Sequence, residues 1–367
     1  MNYRRLILIA LICCAACKKN TEDPSTSPGS STTALYFPPT GSSDWAITTP
    51  ERLGWNTANL QPLYDYLAAQ DTRAFLVLKD GKIVLEKYFG KTINNAGAFT
   101  QISPWYWASA GKTLTSFMVG KAQQEGLLST NAKTSQYLGV GWTSAPVAKE
   151  NLITVRHQLT MTSGLDDTGN LDNTTPAALH YKADAGTRWS YHNAPYTLLQ
   201  QVVSQAAGQS FNAYFEAKLK SPVGMDGQWI AGDYERVYWS TARSMARFGL
   251  LMQAKAIWNG QKILDDPVYV DAAMNTSQRI NQAYGYLWWL NGKASYMVPQ
   301  SQVIFTGSLT PAAPADLVAA AGKDGQLLNI VPSKGLIVVR MGSSVNAGLV
   351  ALPLQQAMWE KLSAVIN

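Results

Sequence analysis

Two stretches near opposite ends of the chain limit the fold most. "RAFLVLKDGKIVLEKYF" (73–89) and "GQLLNIVPSKGLIVVRMG" (325–342) each place two apolar, β-rich runs around a turn. Asp80-Gly81 suits a tight hairpin turn that needs positive φ, and Pro-Ser-Lys-Gly closes the second pair. Pairing the two hairpins gives one antiparallel sheet assembled from both ends of the chain. "TANLQPLYDYLAAQ" (57–70) reads as an amphipathic helix capped by Asn56 or Thr57, and "LVALPLQQAMWEKLSAVI" (349–366) as a closing helix. Residues from 109 to 282 follow a mostly helical pattern, as in "YTLLQQVVSQAAG" (196–208), which stops at Gly208, and "TARSMARFGLLMQA" (241–254). The expected fold class is therefore α+β. An antiparallel sheet flanked by N- and C-terminal helices is built from 41–108 and 283–367, and a helical domain is inserted at 109–282. No repeat of fixed period is present.

With 367 residues, 46% apolar and 15% charged, the chain has room for a large core and reads as globular. The formal net charge is +6, but Arg4, Arg5, Lys18 and Lys19 lie together at the start, and no basic tract suits nucleic acid. The first stretch, "MNYRRLILIALICCAACKKN", has a basic start and an apolar run too short to span a bilayer. It resembles a bacterial lipoprotein signal covering 1–16, with Cys17 as the lipidated residue; ordinary cleavage nearby would instead leave Cys17 free. The following Ser/Thr/Pro-rich segment gives an expected flexible tether over 17–40. The implied location is the cell envelope, with the membrane reached through the lipid anchor alone. Cys13, Cys14 and Cys17 are the only cysteines, so a later disulfide, cysteine nucleophile or thiolate metal site is excluded. Three separated histidines make a zinc site unexpected, and neither metal nor organic cofactor is anticipated.

"WASAGKTLTS" (107–116) carries the chemistry and reads in two ways. A phosphate-binding loop needs a glycine five residues before Gly111, where the chain has Tyr106, and it needs a preceding buried strand. Neither requirement is met. Ser-x-x-Lys fares better. Ser109 and Lys112 share one face of a helix that begins near Ser109, and a buried lysine loses its proton more readily. Alone the motif is weak, since chance supplies about one in a chain of this size. Two partners follow in order. Tyr191-His192-Asn193 is the only Tyr-x-Asn in the sequence, and Lys323-Asp324-Gly325 directly precedes a strand-like run. A tyrosine near a lysine can shuttle protons, an asparagine can hold a substrate carbonyl, and a glycine on an edge strand lets a substrate lie close.

With these motifs in this order, the chain resembles the serine β-lactamase and penicillin-binding-protein superfamily, whose motifs are Ser-x-x-Lys, Tyr-x-Asn and Lys-Thr-Gly. The likeness runs from about residue 55 to 365 and includes "ITVRHQLTMTSGLDD" (153–167) and "STARSMARFGLLM" (240–252). Within the superfamily the chain is most similar to the class C type and its esterase and 6-aminohexanoate-dimer hydrolase relatives. The resemblance implies that Ser109 is the nucleophile and that Lys112 and Tyr191 are its proton partners. Asn193, Lys323 and Gly325 would hold substrate, and the N–H groups of Ser109 and Gln326 would form the oxyanion hole. Asp324 departs from the pattern, which has a small hydroxyl residue there. If it faces the cleft it repels a substrate carboxylate; if it turns away it only shapes the bend.

His157 and His192 read as structural. One or two of Trp105, Trp107, Trp189, Trp288 and Trp289 are expected to line the acyl pocket. The resulting expectation is a lipid-anchored serine hydrolase acting through an acyl-enzyme on a small ester, amide or peptide-like substrate. A β-lactamase or D-Ala-D-Ala carboxypeptidase is the alternative within enzymes. A non-catalytic binding or sensor protein on the same fold is the alternative outside them.

Overall fold

A computed structural model describes residues 34–233, 236–344 and 348–366. The signal segment and Cys17 lie outside the described residues. We label the elements used below in chain order. Helices are α1 (Leu60–Ala69), α2 (Lys112–Gln124), α3 (Asn193–Ala207), α4 (Ala242–Gln253) and α5 (Leu352–Ile366). Strands are β1 (Thr72–Lys79), β2 (Lys82–Tyr88), β3 (Trp105–Tyr106), β4 (Gln228–Ala231) and β5 (Arg236–Ser240). They continue with β6 (Trp289–Leu290), β7 (Val318–Gly322), β8 (Gln326–Val331) and β9 (Leu336–Gly342).

Both expected hairpins form. Asp80 and Gly81 take φ of 49° and 84°, the double positive-φ turn that matches strand twist. The hairpins join through β1 and β9, antiparallel, with Val77 opposite Val338. The sheet order is β2-β1-β9-β8-β7-β6, so the first and last parts of the chain share one sheet. Every residue of β8 and β9 is buried, the signature of strands covered on both faces. α5 lies over the sheet, with the Trp359 indole N–H donating to Asn329 Oδ1 at 2.7 Å. The fold is thus the expected α+β arrangement.

Three boundaries are corrected. α4, expected inside the helical insertion of 109–282, packs against β8, β9 and β1. β8 and β9 carry apolar side chains on both faces, so one layer of terminal helices cannot cover them, and α4 supplies the second. The same span also contains β4 and β5, which join β3 in a three-stranded sheet. Residues 35–40, expected in the tether, are docked. Tyr36 N–H donates to Asp80 O at 3.0 Å, and Phe37 packs edge-on against Trp258. The Arg247 guanidinium donates to the carbonyls of Pro39 and Val223. The apolar run Leu35–Phe37 gives this piece something to bury, which the Ser/Thr-rich segment before it lacks.

Arg340, fully buried on β9, ties the ends together. Its guanidinium donates to Gln70 O, Ser343 O, Asp324 O and Gly325 O, and its Nε to Thr72 Oγ1. Such a neutral-carbonyl cage satisfies a buried cation's donors without a carboxylate.

Candidate active site

Ser109 sits in a single 3-10 turn, Ala108–Gly111, that leads directly into α2. The residue before it, Ala108, has φ of +47°, a conformation non-glycine residues rarely adopt and one found repeatedly at functional turns. The turn is held from outside: Trp107 N–H donates to Tyr238 O at 2.8 Å, and its indole N–H to Ser240 Oγ at 2.7 Å. On the other flank β7 ends at Gly322. A Cβ at that position would lie 2.7 Å from Trp107 O and 2.9 Å from both Ser109 N and Ala110 N. Glycine is therefore required for the end of β7 to touch the nucleophile's backbone.

Lys112, only 3% exposed, opens α2 and donates from Nζ to Ser109 Oγ at 2.8 Å. Its Nζ also faces the rings of Tyr196 and Tyr191, at 4.4 and 5.1 Å from their centroids. Tyr191 is buried and interacts through its hydroxyl with Ser109. Burial raises the Tyr191 phenol above its usual range, Ser109 opposes that shift, and Asp172 adds to it. The Tyr191 ring is stacked on Trp289 at 5.8 Å and meets the edge of Tyr284, which fixes its orientation. Asn193, the first residue of α3, donates from Nδ2 to Asp172 Oδ1 at 2.7 Å.

Ser109, Lys112, Asn193 and Lys323 line one cleft of about 450 Å³. Tyr191 stands directly behind its wall. Four of the expected residues are thus brought together, and a fifth backs them. Gly325 and Gln326 are not. Gly325 is buried with its carbonyl on Arg340 Nη1, and Gln326 has no exposed surface. The Gln326 side chain is paired with the backbone of Gly342. The expectation that both contact substrate is corrected: the turn Lys323–Gly325 separates them from the nucleophile, and Gly322 takes the adjoining position.

Asp324 does line the cleft. It holds a left-handed backbone, φ 62°, and accepts a hydrogen bond from Tyr106 OH at 2.8 Å. The tryptophan expectation is also corrected. All five named tryptophans are buried in the layers behind the site, and Trp239 of β5 lines the cleft instead. Tyr106, Asp172, Tyr196 and Arg236 also line the wall and were not foreseen. Tyr196 alone had a signal, lying three residues past Asn193 on the same helical face. His157 closes a capping box with Thr154, a structural role, and His192 is buried. Among the described residues no cluster of His, Cys, Asp and Glu could hold a metal.

Known proteins match this arrangement. An uncharacterized protein of Alkalihalophilus pseudofirmus is 24% identical over 302 residues, covering 74% of this chain and 83% of that protein. A 6-aminohexanoate-dimer hydrolase candidate from Bacillus anthracis shares the fold at a TM-score of 0.67 and 16% identity, covering 90% of each chain. A family VIII carboxylesterase does so at 0.62 and 14%, covering 85% of this chain and 98% of the other. The model of the family described as Beta-lactamase matches residues 67–348. The chain therefore belongs to the Beta-lactamase family, within the serine β-lactamase and penicillin-binding-protein superfamily.

Proposed function

We propose that this protein is a serine hydrolase that forms an acyl-enzyme at Ser109 and acts on an ester or amide. The observation that carries the reading is the 2.8 Å contact of Lys112 Nζ with Ser109 Oγ, with Tyr191 on the same hydroxyl. Ser109 Oγ attacks the substrate carbonyl carbon as its proton passes to Lys112 Nζ, which must be neutral to accept it. The ring faces of Tyr196 and Tyr191 stabilise the ammonium as it appears. Lys112 passes that proton through the Tyr191 phenol to the leaving group as the bond from the carbonyl carbon to that group breaks. Water then attacks the acyl carbonyl, gives its proton to the same pair, and the acid leaves as the proton returns to Ser109 Oγ. The N–H of Ser109 is one donor to the oxyanion, and the end of β7 at Gly322 borders the same spot.

An ester or amide fits better than a β-lactam because Asp324 stands in the cleft wall next to the Gly322 end of β7, where its carboxylate opposes an anionic group held beside the reacting carbonyl. The neighbour proteins named for amide and ester hydrolysis support the same choice. A serine-directed fluorophosphonate probe should label the wild-type protein and leave Ser109→Ala unlabelled. In a panel of p-nitrophenyl esters, short amide oligomers and a chromogenic cephalosporin, the cephalosporin should be slowest. A folded wild type that resists the probe would support a binding or sensor protein, and a fast cephalosporin would return the β-lactamase alternative.

A further inference from the structure

A second hollow lies beside the cleft at Ser109, along α3. The helix face that starts at Asn193 returns at Thr197, Gln200, Gln201 and Ser204, at helical spacing. Those four residues line this hollow of about 400 Å³. From 193 to 204 the helix rises about 16 Å, at 1.5 Å per residue. One residue, Arg236 at the start of β5, lines both.

The charges along this track are not equally engaged. Asp172 accepts from Asn193 and Asp324 accepts from Tyr106. Asp233, in the second hollow, is exposed. Arg236 is half-buried and donates from Nη2 to a neutral acceptor, Asn212 Oδ1, at 2.9 Å. Among the described residues no carboxylate forms an ion pair with it. A guanidinium stays charged at any working pH, and its planar fork matches the two oxygens of a carboxylate. Partial burial strengthens such a pair relative to one in open water.

Resting on the serine-hydrolase reading, we propose that Arg236 binds a carboxylate on an extended ester or amide substrate, at the junction of the two hollows. Arg236 then sets specificity without touching the reacting atoms. Its effect falls on KM more than on kcat.

The test compares matched substrates in wild type, Arg236→Gln and Arg236→Lys. One pair is 4-nitrophenyl hexanoate and 4-nitrophenyl hydrogen adipate, with the anion on the acyl arm. The other is phenyl hexanoate and 3-carboxyphenyl hexanoate, with the anion on the leaving group. In Arg236→Gln, the kcat/KM of one anionic ester relative to its neutral partner should fall about tenfold, mainly through KM, with partial recovery in Arg236→Lys. Ratios within twofold of wild type for both pairs would overturn the proposal. Binding of adipamate, N-hexanoylglycine and hexanamide to the Ser109→Ala protein reads the same contact without turnover. An anion preference that disappears when Arg236→Gln is added supports the proposal, and equal binding of all three overturns it. Failure of the probe to label Ser109, with that preference intact, would sink the hydrolase reading alone.

Discussion

Two side chains around one hydroxyl decide what Ser109 can do. Removing Lys112 takes away the atom 2.8 Å from Oγ, and removing the Tyr191 hydroxyl takes away its other partner. Lys112→Ala and Tyr191→Phe should each lower kcat by about a hundredfold or more, the scale of a lost acid–base group. Near-normal rates in both would show the proton partners to be misassigned. His192, between Tyr191 and Asn193, tests the packing of the same loop. It is 3% exposed, and burial pushes its imidazole down to about 4, against the raising effect of Asp167, Asp166 and Asp172. Above pH ~6.5 the residue is neutral in both the folded and unfolded chain. Between pH ~6.5 and ~4 the unfolded chain binds a proton that the folded one refuses. Stability is therefore lost as pH falls through this window, by up to about 3 kcal/mol. His192→Gln should flatten the acid side of the unfolding-midpoint curve relative to wild type. Identical slopes from pH 7 to 4.5 would show that His192 accepts a proton within the fold.

At the scale of elements, the site depends on how closely β7 approaches the nucleophile turn. The atoms a Cβ at Gly322 would meet are backbone atoms of Trp107, Ser109 and Ala110, which cannot rotate aside. Gly322→Ala should separate the strand from the turn and lower kcat/KM by about ten- to a hundredfold, since small misplacements at a reacting centre are expensive. Circular dichroism and the thermal midpoint would report whether the fold survives. A variant with wild-type kcat/KM would mean that β7 does not set the reacting geometry. The hairpins, α3 with its Gly208 stop and the α4 pattern were all legible, because each rests on local periodicity or end signals. The two-residue strand β3 carries no periodicity, and its pairing with β5, about 130 residues away, had no local signal.

For the whole molecule, the open question is how the body defined by residues 35–366 is held in the cell. Among the described residues no helix is long and apolar enough to cross a membrane. Separately, the expected lipidation of Cys17 carries its own prediction. Cys17→Ala should move the protein from the membrane fraction to the soluble fraction while retaining hydrolysis of a p-nitrophenyl ester. A wild-type protein already wholly soluble after fractionation would rule the expected anchor out.

The sequence by itself determined the two hairpins, the main helices and the order of the reactive motifs. Hairpin turns, helix caps and Ser-x-x-Lys are short-range patterns, and Ser109 and Lys112 meet because three residues of helix bring them together. Tyr191 and Asn193 were legible through their order along the chain rather than through any contact. Tertiary structure decided the rest. Asp324 faces the cleft because a left-handed backbone at that residue and the bond from Tyr106 turn it there. Gln326 is withdrawn because a three-residue turn carries it into the buried pairing with Gly342. Arg236, Trp239 and Asp172 reach the cleft from segments that approach it only when the sheets close. Such contacts depend on the packing of distant segments, whose register no local pattern encodes.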